Sequence, residues 1–357
     1  MPGSGFGRIL RLTTYGESHG PGLGGVVEGC PPGLELAEAD IQADLDLRKP
    51  GQGGTSTKRV EPDHARLLSG VFEGRTTGTP IAFYIANEDQ RSRDYGELAS
   101  VFRPGHADWT YFKKYNGIYD YRGGGRASAR ETAARVAAGA IAKKILAVRK
   151  ISVQAACVEL GGIAVPPEGM EIDKALSHPY FAASEEILPQ WDARVKQARE
   201  DRDTLGGVAL VVARNVPPGL GEPVFDKLDA VLAHALMSVG AVKGVEVGEG
   251  FAAARLTGSQ NNDALLPCGK FASNHAGGIL GGISSGQDIV LRVAVKPIAS
   301  IAQKQRTVDR YGNPTKILVG GRHDLSAIPR IIPVLSAMVA LVLADVLLMQ
   351  ARVEFVR

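Results

Sequence analysis

Residues 121–144, with the sequence YRGGGRASARETAARVAAGAIAKK, join a glycine-rich turn to an alanine-rich helix. The glycines at 123–125 carry no Cβ, so the backbone N–H groups of this turn can approach a ligand closely. Ser128 and Glu131 have the spacing of a capping box, which predicts that the helix begins near Ser128. Three arginines, at 122, 126 and 130, cluster around that positively polarised end. The stretch therefore predicts an anion site at the start of a helix.

The body of this helix, Thr132 to Ala142, is apolar or small on every side apart from Arg135. A helix without a wide polar face packs against other elements all round, so it is predicted to lie in the core. Taken alone, the stretch is also typical of an ordinary core helix whose arginines are solvated or pair with carboxylates. Glu131 and Arg135, for example, have the i, i+4 spacing of an ion pair. Both interpretations predict a buried helix, and they differ only in whether its start binds an anionic ligand.

The composition indicates a globular chain with a large core. Of its 357 residues, 44% are hydrophobic and 22% are charged, and the formal net charge of +3 does not by itself indicate nucleic-acid binding. The three cysteines have no C-x-x-C spacing, which argues against a disulfide framework and a zinc site. No secretion signal is present, and Pro333 and Asp345 interrupt the apolar run at 331–349. We therefore expect a cytoplasmic protein with a buried C-terminal helix.

Strand and helix patterns alternate in both halves of the chain without a change of composition between them. This predicts one α+β domain spanning residues 1–357. Hydrophobic periodicity predicts strands at 8–15, 26–27, 67–72, 80–86, 151–165, 208–215, 251–256 and 288–296, and helices at 35–48, 108–115, 225–238 and from 329 onward. The stretch 166–190 is acidic and contains prolines, which suggests a mobile surface connection, and 303–316 is predicted to be a polar loop.

Three histidines lie in glycine-flanked turns: His19 in GESHG, His106 in PGHAD and His323 in GRHD. Histidine exchanges protons near neutral pH, so each is a candidate proton donor or acceptor, although a structural role for any one of them is equally open. Arginine, whose fork of N–H donors suits phosphate and carboxylate, recurs beside the same turns. Together these residues predict a pocket for a small polyanion in which protons move. A polyanion-binding protein without catalysis is the alternative.

The segment GESHG also matches G-x-S-x-G, the nucleophile elbow of serine hydrolases. That elbow needs a helix directly after the serine, whereas Pro21, Gly22 and two further glycines follow Ser18. A hydrolase is therefore the weaker alternative. The segment GGILGGISSG at 277–286 resembles a dinucleotide-binding motif, but no helix pattern follows it.

Five motifs in this order resemble chorismate synthases: GESHG at 16–20, FRPGHAD at 102–108, the stretch 121–144, SNHAGGILGGISSG at 273–286 and GRHD at 321–324. The resemblance implies conversion of 5-enolpyruvylshikimate 3-phosphate to chorismate and phosphate by a trans-1,4-elimination that requires reduced FMN. It also implies a β-α-β sandwich, with helices between antiparallel sheets, and a homotetramer. No long insertion of the kind associated with an intrinsic flavin reductase is present. We therefore expect a separate reductase to supply FMNH2, with NADPH involved only indirectly.

By the same resemblance, His19 would help to protonate the leaving phosphate, His106 would interact with the reduced flavin, and Asp324 would assist removal of the ring proton. Arg48 and Arg130 would bind the phosphate or carboxylates of the substrate. The implied flavin contacts are Arg126, Ala127, Ser128, Ala241, Gly281, Lys296, Pro297, Ile298, Ala299, Ser300 and Arg322. No metal ligand is implied.

This chain departs from the family pattern in three places. Many members have a second serine where Ala127 stands, and GRHD is followed here by Leu325 and Ser326 instead of proline and cysteine. Many bacterial members have arginine at the position of Gly54, where a nicotinamide-nucleotide contact is sometimes assigned. These departures leave the expected chemistry in place but make a nucleotide contact at position 54 doubtful.

Overall fold

The computed structural model describes residues 3–49, 54–55, 62–88, 100–320 and 324–353. The α-helices are α1 (Glu38–Arg48), α2 (Asp108–Lys114), α3 (Thr132–Ala147), α4 (Leu188–Glu200), α5 (Leu228–Met237), α6 (Gly258–Asn261) and α7 (Ile328–Val353). The strands are β1 (Gly5–Phe6), β2 (Arg11–Gly16), β3 (Gly22–Glu28), β4 (Ala65–Leu67), β5 (Val71–Phe72), β6 (Arg75–Thr76), β7 (Ile81–Ala86), β8 (Ser152–Leu160), β9 (Ile163–Ala164), β10 (Gly207–Arg214), β11 (Val242–Val247), β12 (Leu265–Leu266), β13 (Lys270–Phe271), β14 (Ile279–Leu280), β15 (Ile283–Ser284), β16 (Ile289–Val295), β17 (Lys304–Val308) and β18 (Pro314–Leu318).

Two five-stranded antiparallel sheets enclose a layer of helices. The first sheet has the order β1-β2-β3-β7-β4 and the second the order β11-β16-β10-β8-β9. Helix α3 packs on β2 and β3 of the first sheet, α7 packs on β8 and β10 of the second, and the two helices pack on each other. The expected α+β sandwich, with helices between antiparallel sheets, is confirmed. That residues 1–357 form one domain stays a prediction.

The helix layer is apolar because both of its faces meet a sheet. Residues at 133–134, 136–142 and 145–146 of α3 are buried, as the sequence predicts. Helix α7 is long and apolar enough to cross a membrane, but 89% of its most apolar stretch is buried inside the protein, as in a core helix. Its one buried carboxylate, Asp345, accepts hydrogen bonds from the backbone N–H groups of Arg8, Ile9 and Leu10 at 2.7–2.9 Å. The start of the first sheet is thereby attached to the core helix.

Helix α3 approaches α7 closely at Gly139, and we expect Gly139→Ala to destabilise the fold. An added Cβ would lie 2.3 Å from the Cβ and 2.7 Å from the Cα of Ala337. Alanine is the better helix former by about 1 kcal/mol, but overpacking two helices costs about 1–3 kcal/mol, so the clash decides the sign. Urea unfolding would measure the change. Gly258→Ala is the control, because an added Cβ there meets none of the described atoms within 4 Å. Equal or greater stability of Gly139→Ala would contradict this packing.

The predicted start of the central helix is wrong by four residues. Gly123, Gly124 and Gly125 all have positive φ, and 3-10 turns at Arg122–Ala127 and Ala129–Glu131 precede α3. The Ser128 side chain accepts from the N–H of Arg130 and so caps the second of these turns. Glu131 does not complete a capping box, because its carboxylate accepts from Arg135 Nε at 3.0 Å, which is the alternative i, i+4 pair.

Three further predictions are wrong. The stretch 166–190 is folded into 3-10 turns and the start of α4. It buries Tyr180 and Phe181, which are among the largest fully buried side chains of the protein. Residues 251–256 lie mainly in a 3-10 turn, whereas the strand of this region is β11. The polar residues 303–316 form most of the β17–β18 hairpin. Two predicted strands are each divided: 67–72 falls on the end of β4 and on β5, which pair with different strands, and 151–165 contains β8 and β9, which pair with each other across a turn. The other strand and helix predictions agree with the structure, apart from shifts at their ends.

Candidate active site

The glycine turn before α3 is the place where His19 and His106 come together. An added Cβ on Gly123 would lie 2.6 Å from His19 Cδ2, and one on Gly124 would lie 3.2 Å from His106 Cε1. Both glycines also have positive φ, which disfavours any side chain. The two imidazoles therefore face adjacent residues of one turn, in the space that the missing Cβ atoms leave.

His19 is buried, and its turn is attached to the rest of the site by Asn87. The Asn87 amide nitrogen donates to the carbonyls of Glu17 and Gly20 at 2.9 and 2.8 Å, and its oxygen accepts from Arg130 Nε at 2.8 Å. Ser18 Oγ donates to the carbonyl of Arg122 at 3.2 Å. Strand β3 follows this turn where a hydrolase would have a helix, so the structure lacks a nucleophile elbow.

His106 is held by a short buried network within its own turn. Its Nδ1 lies 2.7 Å from Asp108 Oδ1, while Arg103 donates to both oxygens of the same carboxylate at 2.7 and 2.8 Å. Burial alone would raise the pKa of the Asp108 carboxyl, but hydrogen bonds from Arg103 and His106 outweigh it and hold that pKa well below its usual range. The carboxylate is therefore ionised at neutral pH.

Arg48 and Arg130 converge on Asp63, and the three side chains form a buried cluster. Arg48 Nη1 donates to Asp63 Oδ2 at 2.9 Å, and Arg130 Nη1 pairs with Oδ1. Arg48 also donates to Thr132 Oγ1 and the carbonyl of Ala129, both at 3.0 Å. Burial alone would raise the pKa of Asp63, but the two guanidinium groups lower it below its ordinary value.

Asp324 lies beside this cluster through Arg330. Arg330 Nη1 donates to Asp324 Oδ2 at 3.0 Å, and the charge of Arg330 also acts on both Asp63 and Arg48. The next residue, Leu325, donates its N–H to the carbonyl of Thr55 at 2.8 Å. Counting three arginines against two aspartates, the cluster of Arg48, Arg130, Arg330, Asp63 and Asp324 has a formal charge of +1.

The segment 296–300 meets the His106 turn from the other half of the chain. Lys296 Nζ donates to the carbonyl of Gly105 at 2.7 Å, and Ala299 Cβ lies 3.5 Å from the Cβ position of Gly105. Ala241, which has a φ of +75°, accepts from the N–H of Lys296 at 2.9 Å. Two of the five implied flavin contacts in this segment, Lys296 and Ala299, therefore lie against the residue before His106, and Ala241 adjoins the segment itself.

The other implied flavin contacts have separate surroundings. Arg126 donates to the carbonyl of Gly16 at 3.0 Å and to Thr14 Oγ1 at 2.8 Å, which ties the glycine turn to β2. Ala127 is half-buried in the same turn, next to Ser128. Gly281 lies between β14 and β15, where an added Cβ would meet none of the described atoms within 4 Å. Arg322 and His323 lie outside the described residues.

Five polar residues of the site were not predicted from the sequence: Asp63, Asn87, Arg103, Asp108 and Arg330. For two of them a local signal exists. Arg103 and Asp108 flank His106 within FRPGHAD, so a carboxylate two residues after a histidine in a tight turn could have been read as its partner. For Asp63, Asn87 and Arg330 the partners are brought together only by the fold.

The fold and this site define a class of protein: an α+β enzyme with a buried cluster of arginines and aspartates and with two histidines at a glycine turn. A family model described as chorismate synthase matches residues 10–348, and the chain belongs to that family. Members of the family are lyases of aromatic amino-acid biosynthesis that require reduced flavin and act on a small molecule.

The chain is similar to its relatives over almost its whole length. It is 72% identical to the chorismate synthase of Desulfovibrio desulfuricans over 359 aligned positions, covering 99% of each chain. It is 63% identical to that of Nitratidesulfovibrio vulgaris (strain Hildenborough), covering 99% of this chain and 98% of the relative. A solved structure titled Crystal Structure of Chorismate Synthase superposes with a TM-score of 0.77 at 36% identity, covering 97% of this chain and 93% of that one.

Proposed function

We propose that this protein converts 5-enolpyruvylshikimate 3-phosphate to chorismate and phosphate in the presence of reduced FMN. The observation that carries the proposal is that His19 and His106 lie against adjacent glycines of one turn. Asn87 connects the His19 turn to the buried arginine cluster. In this reaction a ring carbon–oxygen bond breaks and phosphate leaves with the bonding electrons. A ring proton is lost from the opposite side, a new carbon–carbon double bond forms, and no net oxidation occurs.

The proton-handling groups fit the two ends of this elimination. His19, buried against Gly123, would give a proton to the leaving phosphate, since an imidazole side chain can exchange protons near physiological pH. Asp324, an acid held by Arg330, would assist the removal of the ring proton. His106, whose Nε2 faces Gly124, would interact with the reduced flavin and stabilise its charge. These three roles are those that the family resemblance implies for the same residues.

The arginine cluster would act on the substrate mainly through its positive charge. Arg48 and Arg130 already hydrogen-bond Asp63 and nearby backbone carbonyls, so their guanidinium groups are fixed before any ligand arrives. Charges held in place at low dielectric stabilise an anion without reorganising when the phosphate departs. We keep both as proposed substrate-binding residues, with Arg330 as a third source of charge.

The described residues fit a planar flavin in two respects. Lys296 and Ala299 border the His106 turn, and Gly281 is open on its Cβ side. When bound, reduced FMN would supply an electron transiently and accept the ring proton. Arg126 to Ser128 and the segment 296–300 would hold it, with Arg322 as the remaining proposed contact. We further propose a homotetramer, as the family resemblance implies, and a cytoplasmic location.

Anaerobic incubation with reduced FMN and 5-enolpyruvylshikimate 3-phosphate should release chorismate and phosphate in equal amounts. Both products can be followed, one by absorbance and the other by a phosphate assay. With oxidised FMN and NADPH but no reductase, we expect no turnover, because this chain lacks the insertions associated with reductase activity. Turnover in that second mixture would contradict the monofunctional proposal. Tight FMN binding without either product would instead support a polyanion-binding protein.

A further inference from the structure

The His106 turn contains a buried ion pair, Arg103 and Asp108, whose geometry restricts which nitrogen of the imidazole can be protonated. Arg103, His106 and Asp108 lie within six residues, and Gly105 at a φ of +69° folds the chain back so that the His106 N–H donates to the carbonyl of Arg103. The side chains of Arg103 and Asp108 are each only 4% exposed. They therefore interact at low dielectric, with little competition from water.

The distances at Asp108 favour one tautomer of His106. Arg103 is always protonated and donates to Asp108 from its backbone N–H, Nε and Nη2 at 3.2, 2.7 and 2.8 Å. An ionised carboxylate can only accept, and His106 Nδ1 lies 2.7 Å from Oδ1. A bare lone pair at that distance from a carboxylate oxygen would be repelled. Arg103 Nη2 lies 3.0 Å from Nδ1 and has a second N–H that can donate to an unprotonated Nδ1, but that arrangement leaves the Nδ1 lone pair against the Asp108 carboxylate. The shorter contact, to Asp108 Oδ1, therefore favours a proton on Nδ1.

The other ring nitrogen faces the glycine turn. An added Cβ on Gly124 would lie 3.5 Å from His106 Nε2, so the absence of a side chain there keeps this atom accessible. The other charged and titratable groups around the turn are Lys296, which donates to the Gly105 carbonyl, and Tyr119, whose pKa is raised by burial and then by the charge of Asp108. Among the described residues, neither side chain hydrogen-bonds the imidazole.

We propose that Asp108, locked by Arg103, is a positioning residue that fixes His106 in the Nδ1–H tautomer and presents Nε2 to the reaction. The catalytic part of this proposal rests on the proposed function, whereas the tautomer is a property of the protein alone. In serine proteases a buried aspartate orients a histidine in the same way, and its replacement by asparagine leaves the geometry intact but produces the wrong tautomer.

The test is a 15N spectrum of histidine-labelled protein without flavin, at a pH where His106 is neutral, with His106→Ala identifying its signals. The wild-type protein should show the Nδ1–H tautomer, and Asp108→Asn should lose it. With reduced FMN and 5-enolpyruvylshikimate 3-phosphate, Asp108→Asn should lower kcat about 10²-fold or more while KM changes little. Asp46→Asn, at an exposed ion pair, is the matched control and should change neither readout.

Two results would overturn the proposal: an Nε2–H tautomer in the wild-type protein, or an unchanged kcat in Asp108→Asn after the tautomer is lost. Because the tautomer of the wild-type protein is measured without Asp108→Asn, a failure of that variant to fold leaves the inference testable. If wild-type protein yields no chorismate, the proposed function fails, whereas the tautomer still decides the structural role of Asp108.

Discussion

Replacing His19 with alanine is expected to lower both kcat and kcat/KM about 10²- to 10⁴-fold, the range typical of a lost general acid. His19 is 6% exposed and lies against Gly123, where it can reach a ligand in the glycine turn without competition from bulk water. An interaction that strengthens only as the phosphate leaves affects kcat and kcat/KM equally. Stopped-flow absorbance under anaerobic conditions would measure both constants, and circular dichroism would check the fold.

The same loss is expected for His106→Ala, because its ring faces the adjacent glycine of the turn. His64→Ala provides the matched control: this histidine is exposed and lies outside the turn. Near-normal turnover in either site variant would remove that histidine from the proposed mechanism. A fall in His64→Ala as large as in the site variants would instead indicate a general effect of losing a histidine.

The features that could be predicted from sequence are those whose signal is local. Eleven consecutive residues, nearly all small or apolar, indicate that α3 is a buried helix. The flanking glycines indicate the tight turns around His19 and His106. The family resemblance then supplied roles for side chains whose chemistry suited a polyanion. The predicted helix start was wrong because the 3-10 turn Ala129–Glu131, which Ser128 caps, separates Ser128 from the first residue of α3.

The features that could not be predicted depend on distant partners. Asp63 lies 15 residues from Arg48 and 67 from Arg130, and nothing in its neighbourhood marks it as the anion between two cations. In the β17–β18 hairpin, β17 is polar apart from Val308 and β18 buries only Ile317, so neither strand has the apolar alternation by which strands are recognised. In the stretch 166–190, prolines and acidic residues suggested exposure, but Tyr180 and Phe181 adopt left-handed φ and turn into the core.

Substituting Asp63 with asparagine is expected to destabilise the protein by about 3–5 kcal/mol, because two buried guanidinium groups would lose their counter-charge. Arg48 and Asp63 are each 1% exposed and Arg130 is 4% exposed, so water cannot replace the carboxylate without opening the fold. Urea unfolding would measure the loss. Glu35→Gln is the control, since the Glu35–Arg75 pair is mostly exposed and should change stability by less than about 1 kcal/mol.

The difference in the free energy of unfolding between the wild-type protein and Asp63→Asn should depend on pH in a definite direction. Because the folded protein holds the pKa of Asp63 below its ordinary value, the stabilisation is fully present above pH about 4 and is lost as the pH falls through the lowered pKa. Wild type and Asp63→Asn should therefore converge only in strong acid.

A double-mutant cycle separates lost pairing from a general defect at position 63. Arg48→Met removes one of the two cations and retains an unbranched apolar chain, so it should cost less in Asp63→Asn than in the wild-type protein. Strict additivity of the two substitutions would show that Asp63 does not stabilise the fold through Arg48. Nonadditivity would instead establish the cluster as a coupled unit, in which one aspartate makes it possible to bury two arginines beside the proposed substrate site.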